Sequence, residues 1–332
     1  MWKIVKSAVT GRGHISQNLP CQDKVFSLKA KGVQAAALAD GAGSAVYSHF
    51  GAEIVAEETC RLLTERFEAF YNEDNVGKVG QELLHHLREK LELRAEELEG
   101  SMRDLASTLL FVAVAKDRYI LGHLGDGVIG YMKNGDLKVA SYPDNGEFAN
   151  ETTFVTSSDA LQALRLMKGE LKDIQGFVLM SDGTEAGLYD KRRKELAPVL
   201  RKIMGLMSMV SVADIQRMLQ DSMEQVIRQK TKDDCSLVIV TADMKGFPGY
   251  RWLSRLEKMQ LFNLPCLSAR ALKRAKVFDR ILWFLQEEHS LQELASFLHL
   301  SPKIVRKKIA YLMNLNFVEK TGRGYRTIII LK

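Results

Sequence analysis

Hydrophobic positions in the first 240 residues fall into short unbroken runs and longer helical stripes. Residues 33–39, 109–115, 119–124, 128–132, 137–141, 177–180 and 235–241 are apolar-rich runs of strand length. Residues 45–67 and 78–98 carry apolar side chains at helical spacing, the second with charges on its other face. Lys116-Asp117 and Asn134-Gly135 separate two of the strand pairs. Asn-Gly between strand-like runs is the strongest short hairpin signal. Strands in antiparallel succession, with helices in separate blocks, predict an α+β fold rather than a doubly wound α/β sheet.

The pattern changes towards the C-terminus. Residues 243–276 read as a linker and basic lead-in. Residues 277–288 repeat apolar positions helically at Val277, Ile281, Leu282, Phe284 and Leu285. Ser290 with Glu293 forms a capping box that opens a helix over 291–298. Ser301-Pro302 starts a third helix, with Pro in its first turn. Residues 317–320 and 326–331 then flank TGRGY as strand, turn, strand. Three helices followed by a β-ribbon resemble a winged helix. The expected layout is therefore 1–242 as one domain, 243–276 as linker, and 277–332 as a small winged-helix-like domain.

Charge sharpens this division. From residue 250 to 332, 16 Lys and Arg stand against 6 Asp and Glu, a balance of +10, so residues 1–249 carry −4 of the total +6. Such asymmetry suggests modules with different partners. Lys303, Arg306, Lys307 and Lys308 crowd the first turns of the third helix, and Arg323 sits at the tip of the ribbon. These residues suit phosphate contacts on a nucleic acid. The same face would also serve an acidic protein partner or dimerisation.

Composition removes other classes. The chain has 332 residues, 46% hydrophobic and 27% charged, an ordinary soluble balance with room for a large and a small domain. No run approaches the about 18 apolar residues of a membrane helix. The N-terminus lacks the pattern of a signal peptide. The four cysteines are scattered, without a C-x-x-C pair, so neither a zinc knuckle nor a disulfide framework is indicated, and a reducing cytoplasm is the expected location.

The candidate chemistry lies where strands end. GFVLMSDGTEAG closes an apolar run on Asp182-Gly183, and AAALADGAGSA closes another on Asp40-Gly41. Asp23 precedes one strand-like segment, Asp126-Gly127 lies between two, and Asp233-Asp234 precedes the last. A single Asp-Gly after a strand is most often a turn. Several carboxylates converging on one cleft are different: they repel one another and resist ionising together. Hard divalent cations relieve that repulsion, and oxygen ligands select magnesium, manganese or calcium over zinc.

The order CQD, LADGAGSA, STLLFVAV, LGHLGDGVIGY, VLMSDG and KTKDDCSLVIV resembles the metal-dependent protein phosphatases of the 2C family, most of all their compact bacterial branch. The resemblance spans residues 11–241. It implies two central antiparallel sheets flanked by helical layers. It also implies two Mn2+ or Mg2+ ions, with Asp40 bridging them and the Gly41 carbonyl on one. Asp182 and Asp233 would complete the coordination of the first metal, and Asp23 would hold a metal-bound water. Asp126 matches the position associated with a third, weaker metal. Asp23 and Asp40 would serve catalysis, in which a water activated between two cations attacks phosphorus in line.

Departures from the family pattern are visible. Gln22 stands where Glu or Asn precedes the first Asp. The family's phosphate-gripping Arg has no counterpart near Asn18, which leaves Arg12 and His14 as candidates. Ala186, with Glu185 before it, replaces a further acid. Asp234 replaces an Asn, a substitution that looks mild. The segment before residue 177 is short, implying a reduced substrate-facing flap.

The expected activity is dephosphorylation of phosphoserine and phosphothreonine proteins, with a Ser/Thr kinase as counterpart and the C-terminal domain for targeting or regulation. The alternatives are a regulator whose phosphatase-like domain binds a partner and whose winged helix binds DNA, and a hydrolase of small phosphomonoesters.

Overall fold

The computed structural model describes residues 2–143, 152–207, 211–242, 250, 253, 255–265 and 268–328. They fall into two units, Met1–Leu200 with Val212–Ala242 and Arg201–Ser211 with Asp243–Lys332.

Two five-stranded antiparallel sheets form the first unit. One has the order β1 (Trp2–Val9), β12 (Cys235–Ala242), β9 (Ile174–Met180), β6 (Val128–Lys133) and β7 (Asp136–Ser141). The other has the order β2 (Lys24–Ala30), β3 (Val33–Ala39), β4 (Leu109–Ala115), β5 (Arg118–Leu124) and β8 (Arg165–Glu170). Strand β3 shows why its sequence is apolar at nearly every position. Ala36 and Leu38 face the first sheet, in one core with Leu110, Val112, Phe177, Leu179 and Val238. Ala35, Ala37 and Ala39 face the other way, against Ala52, Val55, Leu63, Leu83 and Leu87 of helices α2 (Ser48–Asn72) and α3 (Val76–Glu97). A strand buried on both faces loses the polar alternation of a half-exposed one. The residues it leaves for the ends are the polar ones.

The Asn134-Gly135 hairpin joins β6 to β7 with both residues at positive φ (52° and 82°), as a primed turn requires. Edge strand β1 is covered by helix α7 (Val212–Ser222). Gln216 accepts from Lys6 N at 3.0 Å and donates to Lys6 O at 2.6 Å, so the open edge is hydrogen-bonded. The short helices α1 (Arg12–Gln17), α4 (Ala160–Ala163) and α5 (Asp182–Leu188) and the small hairpin β10 (Tyr189–Asp190) with β11 (Glu195–Leu196) connect these layers. Helix α2 begins at Ser48 and runs to Asn72, later at both ends than the expected 45–67.

Helix α6 (Pro198–Met207) starts in the first unit and ends in the second. Its Leu206 packs with Tyr250, Phe262, Phe278 and Phe317, which places Arg201–Ser211 outside the expected 1–242 block. The expected linker is also corrected. Helix α8 (Arg255–Leu261) lies inside it, and helix α9 (Ala269–Phe284) begins eight residues earlier than the sequence pattern suggested, because Ser268 Oγ accepts from Ala271 N and caps it. Helices α10 (Leu291–Leu298) and α11 (Pro302–Asn314) follow, then the hairpin of β13 (Val318–Lys320) and β14 (Tyr325–Thr327). The second strand ends at Thr327, and the expected positions 329–331 lie outside the described residues. His289 and Tyr325 exchange backbone bonds at 3.1 and 2.9 Å, adding the α9–α10 connection to the hairpin.

Candidate active site

Asp40 stands where β3 ends. Its N–H donates to Thr108 Oγ1 at 2.9 Å and its carbonyl accepts from Thr108 N at 2.8 Å, so the strand end is fastened to the start of β4. Asp182 is the first residue of α5, separated from β9 by Ser181 alone. Asp23 precedes β2 and is 1% exposed. Ser236 N donates to Ser181 Oγ at 3.0 Å, and Ser181 Oγ donates to Asp23 Oδ2 at 2.7 Å. That relay fixes the Asp23 carboxylate and leaves Oδ1 without a partner, as Asp182 Oδ1 also is.

The three carboxylates form one electrostatic system. Burial pushes Asp23 up to about 7, against the hydrogen bonds it receives. Burial, followed by the charges of Asp23 and Asp182, holds Asp40 well above the carboxylate range. Burial and the charges of Asp126 and Asp233 raise Asp182 to about 6. Asp40 is thus under the influence of both Asp23 and Asp182.

The outer residues sit differently. Asp126 accepts from Thr152 Oγ1 at 2.6 Å. Asp233 is exposed and accepts from Asp234 N at 2.8 Å. Gly41 bridges to Ser107, and its N–H donates to Gln22 O at 3.3 Å. Glu185 is 1% exposed and pairs with Lys191 at 2.8 Å. Arg12 is exposed, its Nε donating to Thr231 O at 2.9 Å, and His14 Nδ1 lies 2.9 Å from Asp234 Oδ1. In the second unit, Lys303, Arg306 and Lys307 are exposed on α11, whereas Val305, Ile309 and Leu312 are buried. Arg323 lies in the β13–β14 turn, where its N–H donates to Glu288 Oε1 at 2.8 Å.

Sequence reasoning missed Ser181 and Thr108, the hydroxyls that orient Asp23 and Asp40. It also took Asp234 as a mild replacement for Asn. Asp234 is 1% exposed, and its two oxygens accept separately from Gly11 N and Gln22 N, both at 2.6 Å. An amide has only one acceptor oxygen and cannot make both bonds.

No group of three or more Asp, Glu, His or Cys side chains among the described residues already stands as a metal shell. The donor set nevertheless fits a hard divalent cation. Asp23 and Asp182 each hold a buried oxygen without a partner, and burial resists their ionising without a counter-charge. The nearby thiols offer no soft ligand: burial, then the surrounding carboxylates, pushes Cys235 up to about 12 and raises Cys21 further, so both stay protonated.

Two mutually packed antiparallel sheets carry these carboxylates at or next to their strand ends. The family model described as protein phosphatase 2C matches residues 10–226, and the chain belongs to that family. Serine/threonine-protein phosphatase 3 of Escherichia coli (strain K12) is 29% identical over 174 residues, covering 49% of this chain and 66% of that protein, just under two thirds of its length. A bacterial serine phosphatase superposes with a TM-score of 0.52 at 14% identity, covering 73% of this chain and 98% of its own. A serine/threonine phosphatase from Staphylococcus aureus does so with a TM-score of 0.50 at 14% identity, covering 73% and 95%. At these identities the structural likeness establishes the fold.

Proposed function

We propose that the chain is a Mn2+- or Mg2+-dependent phosphatase of phosphoserine and phosphothreonine residues in proteins. The observation that carries this reading is the cluster of Asp23, Asp40 and Asp182, buried or raised in pKa at three chain segments that only the fold brings together. Asp40 with the Gly41 carbonyl, Asp182 and Asp233 would hold two ions, and Asp126 a third. The cations, when bound, supply Lewis acidity and an acidified water. Asp23, oriented by Ser181, keeps Oδ1 free to accept a proton or a hydrogen bond from that water. The Thr108 bonds hold Asp40 rigidly, so little reorganisation is needed as charge develops. Arg12 and His14 are the candidates to contact the phosphoryl group.

Phosphate release from a phosphothreonine peptide tests this, with manganese, with chelator, and with Asp182→Asn. Manganese-dependent release that the variant loses supports the reading. Release from small phosphomonoesters alone would replace the protein substrate with a small one, and no release from either would overturn the enzyme. A phosphorylated protein substrate requires a Ser/Thr kinase to supply it. No helix among the described residues is long and apolar enough to cross a membrane.

A second reading concerns the C-terminal unit. The α9, α10, α11, β13, β14 order and the His289–Tyr325 bridge support a winged helix. Four of its acids serve the fold: Asp279 pairs with Lys258, Glu288 accepts from the Arg323 N–H and Thr321, Glu293 caps α10, and Glu319 pairs with Arg326. Among the described residues, Lys303, Arg306 and Lys307 on the α11 face form no ion pair. Duplex DNA is the partner this face suits, an acidic protein the alternative. Affinity for duplex DNA should fall with salt, and each Lys→Ala change should reduce the log–log slope by about one. A salt-independent interaction would exclude phosphate contacts.

A further inference from the structure

Glu185 is a buried acid that the proposed chemistry does not use. It is 1% exposed and lies on α5 one turn after Asp182, which puts the two carboxylates on neighbouring positions of the helix surface. Apart from Lys191, neither of its oxygens has a partner among the described residues. Burial raises Glu185, the pairing with Lys191 opposes the rise, and the charges of Asp182 and Asp126 add to it. Asp126 also acts on Asp182. Asp182, Glu185 and Asp126 thus form one group of interacting acids, in which Glu185 Oε1 is buried and unused.

Lys191 reaches this group from outside. It follows β10, in the turn that leads to β11. Asp190 Oδ1 accepts from Arg192 N and Arg193 N at 2.9 and 3.0 Å, which fixes the turn. From there Lys191 Nζ lies 2.8 Å from Glu185 Oε2. The Lys191 side chain is 71% exposed, so its ammonium can swing into solvent, whereas the buried Glu185 cannot follow. The bond to Glu185 is the first cause that raises Lys191, and the charges of Asp182 and Asp126 act in the same direction. A divalent ion held by Asp126 and Glu185 would have to settle where this ammonium now neutralises them. The tether keeps the ammonium at a high effective concentration, so a free ion competes against it at a disadvantage.

We propose that Lys191 is a tethered counter-cation that holds, beside Glu185, Asp126 and Asp182, the place of a third divalent ion, so that such an ion enters only by displacing it. The inference rests on the phosphatase reading for the two ions assigned to Asp40, Asp182 and Asp233. It adds that the chain supplies the next positive charge from its own sequence.

Calorimetric titration of manganese into the metal-free full chain tests this without turnover. Lys191→Met should bind one ion more than the wild type, or bind the last ion at least about tenfold more tightly, because the repulsion between a unit charge and a nearby divalent ion is gone. Lys191→Arg keeps the charge and should behave as the wild type. Lys191 is exposed on a turn, so both variants keep the fold. Adding Glu185→Gln to Lys191→Met should abolish the gain. Adding Asp126→Asn instead should do the same, and it keeps the assignment testable should the glutamine variant fail to fold. Equal numbers of ions at equal affinity in wild type and Lys191→Met overturn the proposal. So does a Lys191→Arg protein that gains the ion, or a gain that survives Glu185→Gln or Asp126→Asn in a folded protein. Phosphate release from a phosphothreonine peptide is measured separately. If the wild-type chain releases none, the phosphatase reading fails, and the calorimetric comparison still decides the inference because it counts ions.

Discussion

Replacing Gly183 by alanine would place a methyl carbon 1.9 Å from Asp234 O, 3.1 Å from Asp234 C and 3.3 Å from Asp233 Cβ. The backbone of Gly183 is not in the left-handed region, so the conflict is steric alone. Relief to an ordinary contact needs about 1.5 Å of movement. Asp234 cannot supply it easily, since its side chain is held by Gly11 and Gln22 and its N–H by Asp233. The shift therefore falls on the start of α5, which carries Asp182, or on the loop carrying Asp233. Overpacking of this kind costs about 1–3 kcal/mol, offset in part by up to ~1 kcal/mol of helix propensity for Ala over Gly. A net loss of about 1–2 kcal/mol lowers Tm by roughly 2–8 °C in a unit of this size. The site should suffer more than the fold, because the displaced atoms belong to two of its acids. The manganese concentration for half-maximal phosphate release should rise at least about tenfold, a loss of about 1.4 kcal/mol in ion binding. Thermal unfolding and a manganese titration of turnover measure the two effects. Gly43→Ala is the control, since its methyl group would find only Gln22 Oε1, at 4.0 Å. A Gly183→Ala protein with wild-type Tm and manganese dependence would refute the claim that this close approach sets the spacing of Asp182 and Asp233.

Three further outcomes are expected. Asp182→Asn should abolish manganese-dependent release yet leave the metal-free protein at pH 8 as stable as wild type or more so, because it removes a charge that burial and Asp126 disfavour; a large drop in metal-free Tm would contradict this. Manganese at a hundred times its Kd should stabilise the folded chain by about 2.7 kcal/mol, visible as a rise in Tm that chelator reverses, and no rise would count against a resident cation. His123 is fully buried between Ser141 Oγ and Gly125 O, and burial, with the Arg165 charge, lowers it to about 3. It stays neutral in the fold while the unfolded chain protonates below about 6.5, so its contribution is complete above pH 6.5 and declines as pH falls towards 3, by about 2 kcal/mol at pH 5. Denaturant titrations at pH 7.5 and pH 5 should show this loss in the wild type and a smaller one in His123→Gln; equal losses would place the pH dependence elsewhere.

The elements legible in the sequence were those whose pattern carries a complete physical reason. Strands β3, β9 and β12 are apolar because both faces are covered, and Asn134-Gly135 accepts the positive φ of a hairpin. Strands β1 and β8 were missed because each is an edge strand with half-exposed positions, so Lys3, Lys6 and Lys168 interrupt the pattern. The early start of α9 was hidden by its charges: Arg270, Lys273 and Lys276 look like a basic linker until Ala271 and Ala275 are seen buried between them. In the site, Asp40 and Asp182 were legible as carboxylates ending apolar strands. Asp234 was not, because its bonds to Gly11 and Gln22 join positions 223 and 212 residues apart. No local pattern records a contact of that range.

Carboxylates at strand ends answer a mechanical need as well as a chemical one. A cluster of acids packed together opposes its own assembly, since each charge raises the others and burial strips part of their solvation. Side chains on flexible loops would relieve that opposition by turning outwards. Asp40 and Asp182 cannot, because Asp40 follows directly on a strand packed in the sandwich core, Asp182 follows another after one residue, and Asp40 is fastened further by Thr108. Asp23 is fixed by Ser181, the residue immediately before Asp182, so the same strand end that carries one acid orients another. The stability of two five-stranded sheets thereby holds together charges that would otherwise separate. On the proposed function, a cation entering from solvent would relieve that repulsion, and the free energy of its binding would include the repulsion that the fold has kept in place.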